Sequence, residues 1–96
     1  MKSKLKGIRF EREVKRYLED KGFFVVRQSA SLFPDIIAID KINVYFIECK
    51  VNKYVSKAEK KKLRDLLELG IPLIAFPKDS LKDIKFCDLK YREIVL

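Results

Sequence analysis

The sequence has no histidine and no tryptophan, and only two cysteines, one methionine, three glycines and three prolines among its 96 residues. The lack of imidazole excludes histidine-dependent nucleases, Ser-His-Asp hydrolases and every zinc site that needs a ring nitrogen. Hydrolytic chemistry must then run on carboxylates, lysine and a hard metal. Cys49 and Cys87 lack metal-ligand spacing, and Cys49, inside an apolar run, reads as a small buried hydrophobe. No apolar stretch approaches the length of a membrane span, and the Lys-rich start lacks the apolar run of a secretory signal. The expectation is a reduced, intracellular setting, cytoplasmic and nucleoid-associated. No repeat, low-complexity tract or linker interrupts the chain, so a single domain over residues 1–96 is expected.

Against these absences stand a hydrophobic content of 48%, enough for a core, and a net charge of +8. A basic excess of this size favours a polyanionic partner, usually nucleic acid and less often an anionic membrane.

Residues 4–21 read as an amphipathic helix with Leu5, Ile8, Phe10, Val14, Tyr17 and Leu18 on its apolar side and Gly22 as its C-cap. Residues 23–27 are aromatic and β-branched and predict a strand. After a polar loop over residues 28–34 come two short apolar runs, residues 35–39 and 44–50. The turn sequence of residues 40–43 makes them a hairpin. Ser56 and Glu59 form a capping box opening a second helix with an apolar stripe of Leu63, Leu66 and Leu67, ended by Gly70 and Pro72. Residues 71–76 are a continuous apolar run, as in a strand buried on both faces. A short strand is expected at residues 84–87, then a helical turn or strand. The α-β-β-β-α-β order with a small appendage predicts an α/β fold, a central mixed sheet flanked by helices.

Strand alternation puts Phe46, Glu48 and Lys50 on one face and Tyr45, Ile47 and Cys49 on the other. A carboxylate and an ammonium then project together from an apolar strand, as a salt-bridged strand end or as a site. Asp35 follows Pro34 at the start of the neighbouring run, as a turn residue or beside Glu48. Two acidic groups with the Cys49 carbonyl form an oxygen donor set for Mg²⁺ or Mn²⁺. Such a metal activates water, and Lys50 can orient that water or stabilise a pentavalent phosphorane. Glu11 falls between Val14 and Leu18 on the helical wheel. A carboxylate inside an apolar arc is costly unless it serves a site, whereas Glu13, at the arc's edge, is expected in solvent.

Pro34-Asp35 followed by Glu48-Cys49-Lys50 looks like the motif of the PD-(D/E)xK nuclease superfamily. With Lys6-Gly7, Glu11-Arg12, Lys21-Gly22-Phe23, Val26-Arg27, Pro34-Asp35-Ile36-Ile37-Ala38 and Tyr54-Val55, residues 4–78 resemble the archaeal Holliday junction resolvases in order and spacing. The resemblance implies a restriction-endonuclease-like core, a divalent metal and a homodimer matched to a four-way junction. By position it implies a catalytic role for Glu11, Ser31 (with Ser29 as the near alternative), Asp35, Glu48 and Lys50. The metal would be held by Asp35, Glu48, Glu11 and the Cys49 carbonyl. The chain departs from the family pattern in the loop between Ser31 and Asp35, where only Leu32, Phe33 and Pro34 stand in place of a longer basic segment. It also departs at Glu59, where the family often has glutamine, and in its short C-terminal part.

Lys57, Lys60, Lys61 and Lys62 crowd the first turns of the second helix against its dipole, to meet DNA phosphates or simply as a solvated face. Lys2, Lys4, Lys6, Arg9 and Arg12 form a second basic group beside Glu11. Arg27, Ser29 and Lys53 complete the expected DNA contacts. Tyr91, Ile94, Leu96 and Phe33 are candidates for a dimer surface. The leading expectation is a metal-dependent, structure-selective DNA endonuclease acting in recombination and repair. A flap- or branch-specific relative and a catalytically silent DNA-binding module on the same fold are the alternatives.

Overall fold

A computed structural model describes residues 2–29 and 32–96. The first element is helix α1 (Lys2–Asp20). Its Phe10, Val14 and Leu18 recur every four residues and are fully buried, so the predicted apolar face is the buried one except at Leu5, which is 51% exposed in the first turns, ahead of the part of the helix that packs on the core. The helix stops in a Schellman arrangement: the Phe23 N–H donates to the Leu18 carbonyl and the Gly22 N–H to the Glu19 carbonyl. Gly22 takes φ +96°, a conformation that glycine adopts without steric cost.

Five strands follow in one sheet with β1 (Phe24–Arg27): β2 (Ile36–Ile39), β3 (Val44–Cys49), β4 (Ile71–Pro77), β5 (Ile84–Cys87) and β6 (Glu93–Ile94). Their spatial order is their sequence order, and only β3 and β4 run parallel. The β2–β3 hairpin closes on Asp40, whose carboxylate accepts the Ile42 and Asn43 N–H groups at 2.8 and 2.7 Å. This side-chain mimic of a turn explains why residues 40–43 break the apolar runs. Helix α2 (Lys57–Asp65) crosses between the parallel strands, opened by the predicted Ser56–Glu59 capping box.

The sheet separates two cores. Under α1 lie Phe10, Val14, Leu18, Ile36, Ala38, Ile47, Leu73 and Ala75; under α2 lie Val55, Leu63, Ile74, Phe76 and Cys87. Strand β4 alternates between the two, so its continuous apolar run is buried on both faces.

Three expectations change. Leu67 is 58% exposed and lies outside the apolar stripe, because α2 ends at Asp65 with Leu66 as C-cap and helical periodicity stops there. The chain after residue 80 is no appendage: β5 and β6 extend the sheet. Glu13, expected in solvent, is half-buried, with Arg16 Nη1 at 3.8 Å.

Candidate active site

Antiparallel register pairs Ile36 with Ile47, which sets Asp35 against Glu48 one step beyond. The Asp35 N–H donates to Glu48 Oε1 at 3.1 Å, and Asp35 Oδ2 accepts the Cys49 N–H at 2.9 Å. In an extended strand the N–H and C=O of one residue point to the same side, so the Cys49 carbonyl also faces Asp35. The loop before Asp35 is anchored by Gln28: its N–H donates to the Asp35 carbonyl at 2.9 Å and its Nε2 to the Pro34 carbonyl at 2.6 Å. Nothing in the sequence singled out Gln28, because its partners are carbonyls rather than side chains.

Among the described residues Glu48 is the one charged residue in the buried set, 8% exposed. Burial, then the Asp35 charge, push its carboxyl up to about 8. Lys50, next on the same face, donates from Nζ to Glu59 Oε2 at 2.8 Å. Burial pulls the Glu59 carboxyl upward, but hydrogen bonds from Lys50 and Ser56 outweigh it and hold Glu59 below its usual value.

Glu11 approaches from α1. Its Oε1 accepts from Arg27 Nε at 3.1 Å. Burial first and Asp35 second raise its pKa, partly offset by Arg27. Glu11 thus feels the Asp35 charge, although among the described residues no three His, Cys, Asp or Glu side chains form one metal-holding group. The Cys49 thiol is pushed well up by burial, with Asp35, Glu11 and Glu48 adding to it; it stays a protonated, inert filler.

The donor set that does converge is two carboxylates and a backbone carbonyl. It fits a hard divalent cation, which prefers oxygen ligands and retains several waters. A cation there would relieve the repulsion that keeps Glu48 protonated.

Ser31 lies outside the described residues. Ser29 is exposed, and its carbonyl accepts the Leu32 N–H. Lys4, Lys6, Arg9 and Arg12 are exposed along α1. Lys6 and Gly7 line a cleft of about 430 Å³ together with Cys49, Lys50, Val51 and Asn52, which brings the start of α1 to the site. Arg27, expected at phosphates, is taken up by Glu11. Lys61 sits 3.3 Å from Asp65 in an exposed pair, Lys60 lies 4.4 Å from the Tyr91 ring centroid, and Lys57 is exposed. Lys53 takes φ +61° and lines a separate cleft with Phe76, Lys78, Lys85 and Tyr91. The dimer candidates Ile94, Leu96 and Phe33 are partly buried against the two cores, and Tyr91 stacks on Phe76 at 6.2 Å.

A mixed sheet with a helix on each face, carrying Asp just ahead of its second strand and Glu-x-Lys at the end of its third, has the restriction-endonuclease-like nuclease fold. The crystallographically solved Hjc of Archaeoglobus fulgidus, titled a Holliday junction resolvase from an archaeal hyperthermophile, superposes with a TM-score of 0.72 at 26% identity, covering 88% of this chain and 74% of that one. The family model for the archaeal Holliday junction resolvases (Hjc) matches residues 2–90, and the chain belongs to that family. The crossover junction endodeoxyribonuclease Hjc of Methanocaldococcus jannaschii is 41% identical over 76 residues, which are 73% of this chain. The match spans 57% of that relative's length.

Proposed function

We propose that this chain is a divalent-metal-dependent endonuclease that hydrolyses phosphodiester bonds in branched DNA, four-way junctions foremost. The observation that carries the reading is the convergence of Asp35 and Glu48 at one end of the sheet, through hydrogen bonds at 3.1 and 2.9 Å, with Lys50 two residues beyond Glu48. Asp35, Glu48 and the Cys49 carbonyl would hold the ion, Mg²⁺ or Mn²⁺. The metal, when bound, supplies an activated water and charge neutralisation at the phosphate. Lys50 lies on the same face to orient the attacking water or meet the developing phosphorane charge. Glu11, held by Arg27 and within reach of the Asp35 charge, would add a further carboxylate to the metal site, and Ser31 is assigned to the scissile phosphate by family resemblance alone.

The basic α1 residues Lys4, Lys6, Arg9 and Arg12 suit the approach of DNA. The first turn of α1 holds no acidic residue to balance its dipole, an arrangement that favours an anionic partner. Lys53, Lys57, Lys60 and Lys61 extend this reading to the other side of the site. Residues 1–96 would act as one nuclease domain inside the cell, where its DNA lies. No described helix is long and apolar enough to cross a membrane.

Two cleaved strands related by symmetry call for a homodimer. On the face of β1 and β2 that α2 leaves bare, Phe24 is 67%, Val26 41% and Ile39 36% exposed. Register sets Phe24 beside Ile39 and Val26 beside Ile37. An uncharged patch on so basic a chain suits a second copy better than DNA.

The test is a substrate panel of four-way junctions, flaps and duplexes with Mg²⁺, run beside Asp35→Ala. Junction cleavage that the variant and a chelator both abolish is expected. Equal cutting of flaps and junctions would replace the resolvase by a general branch nuclease. DNA binding without any cutting by the wild type would leave only a silent binding module.

A further inference from the structure

Glu59 serves two elements at once. Its Oε1 accepts the Ser56 backbone N–H at 3.0 Å, and its own N–H donates to Ser56 Oγ at 3.1 Å, completing the capping box of α2. Its second oxygen, Oε2, takes no part in the cap and accepts from Lys50 Nζ at 2.8 Å. Both side chains are sheltered, Lys50 21% and Glu59 25% exposed, unlike the loose Lys61–Asp65 pair on the same helix at 71% and 65%. A lysine ammonium is a point charge on a flexible stem with no preferred direction of its own. A short charge-assisted hydrogen bond to a fixed carboxylate supplies that direction.

The carboxylate is fixed because the cap is fixed. Ser56 follows Val55, which is buried in the core under α2 together with Leu63. The path from that core to the lysine runs through one side chain.

We propose that Glu59 is a positioning residue for Lys50, setting the place of the ammonium that follows Glu48 on β3 from the first turn of α2. The proposal rests on the nuclease reading above. A carboxylate suits the task because it offers two acceptor oxygens, one for the Ser56 N–H and one for Lys50. A glutamine offers a single acceptor and can serve only one of them.

The test pairs single-turnover cleavage of a four-way junction in Mg²⁺ with amine acylation of the metal-free, DNA-free protein, read by peptide mass spectrometry at Lys50. Glu59→Ala should cut about tenfold to a hundredfold more slowly, the scale of a misplaced catalytic group, with junction affinity unchanged and Lys50 acylated several-fold faster. Ser56→Ala removes the other half of the cap and leaves both Glu59 oxygens in place. It should destabilise the protein, yet slow cleavage and speed Lys50 labelling far less than Glu59→Ala does, because Glu59 Oε1 still accepts the Ser56 N–H. Glu59→Gln should recover only part of the lost rate, its carbonyl oxygen accepting from Lys50 while the Ser56 N–H loses its acceptor. Cleavage by Glu59→Ala at the wild-type rate overturns the proposal, as does a Ser56→Ala enzyme slowed as much as Glu59→Ala. A wild type that cuts nothing overturns the nuclease reading and Glu59's catalytic purpose with it. Unchanged Lys50 labelling in Glu59→Ala overturns the lysine–glutamate hold whether or not DNA is cut.

Discussion

At Glu48 two requirements conflict: the carboxyl is buried beside Asp35, yet the metal-holding role proposed for it needs an ionised group. The buried acid holds its proton in the native state up to about pH 8, whereas the unfolded chain releases it near 4.5. Between those values the native state binds more protons, so metal-free stability falls as pH rises. Thermal melts in a chelator should show the midpoint dropping from about pH 4.5 to about pH 8. Glu48→Gln should flatten that slope, and Mg²⁺ should offset it at the upper end. A pH-independent wild-type midpoint would refute the account. Asp35, Glu48 and Lys50 were legible because their spacing is local to one hairpin. The partner of Glu11 was not: Arg27 is sixteen residues away and read equally well as a phosphate ligand.

At the scale of elements, local rules held where the causes are local. The Ser56–Glu59 cap and the Gly22 stop are decided within a few residues of chain. The end of α2 is different. Gly70 lies against β3, where an added Cβ would collide with the Val44 carbonyl oxygen and sit 2.8 Å from Cε2 of Phe46. Its need for glycine is thus a packing demand as much as a helix stop. Gly70→Ala should destabilise by about 1–3 kcal/mol, the usual cost of overpacking. Urea unfolding would show this as a lower midpoint at unchanged m-value. The exposed Leu67 shows the reverse failure, where a periodic pattern was read past the last helical turn. The two-residue strand β6 was equally open to a helical reading, since Glu93 and Ile94 acquire strand geometry only by pairing with Cys87 and Phe86.

For the whole molecule, the sheet is covered unequally. Helix α1 seals one face, while α2 packs over β4 and leaves the outer face of β1 and β2 to solvent. If that face joins two copies, the wild type should run in light scattering at twice the chain mass. Phe24→Lys should weaken the dimer about tenfold or more, equivalent to about 1.4 kcal/mol, with the far-ultraviolet spectrum retained. A monomeric wild type would rule the face out as a dimer surface.

The sequence by itself determined the chemistry available to this protein. With no imidazole, two carboxylates and a lysine at the ends of adjacent short strands were the candidate reactive set, and hydrophobic periodicity placed them in a mixed α/β sheet. Local spacing carries that information because strand alternation and hairpin register act over a few residues. Only the tertiary structure decided which charged groups meet. It turned Arg27 toward Glu11 and Lys50 toward Glu59. Those outcomes depend on how α1 and α2 pack on opposite faces of the sheet, and no pattern in a single segment encodes that.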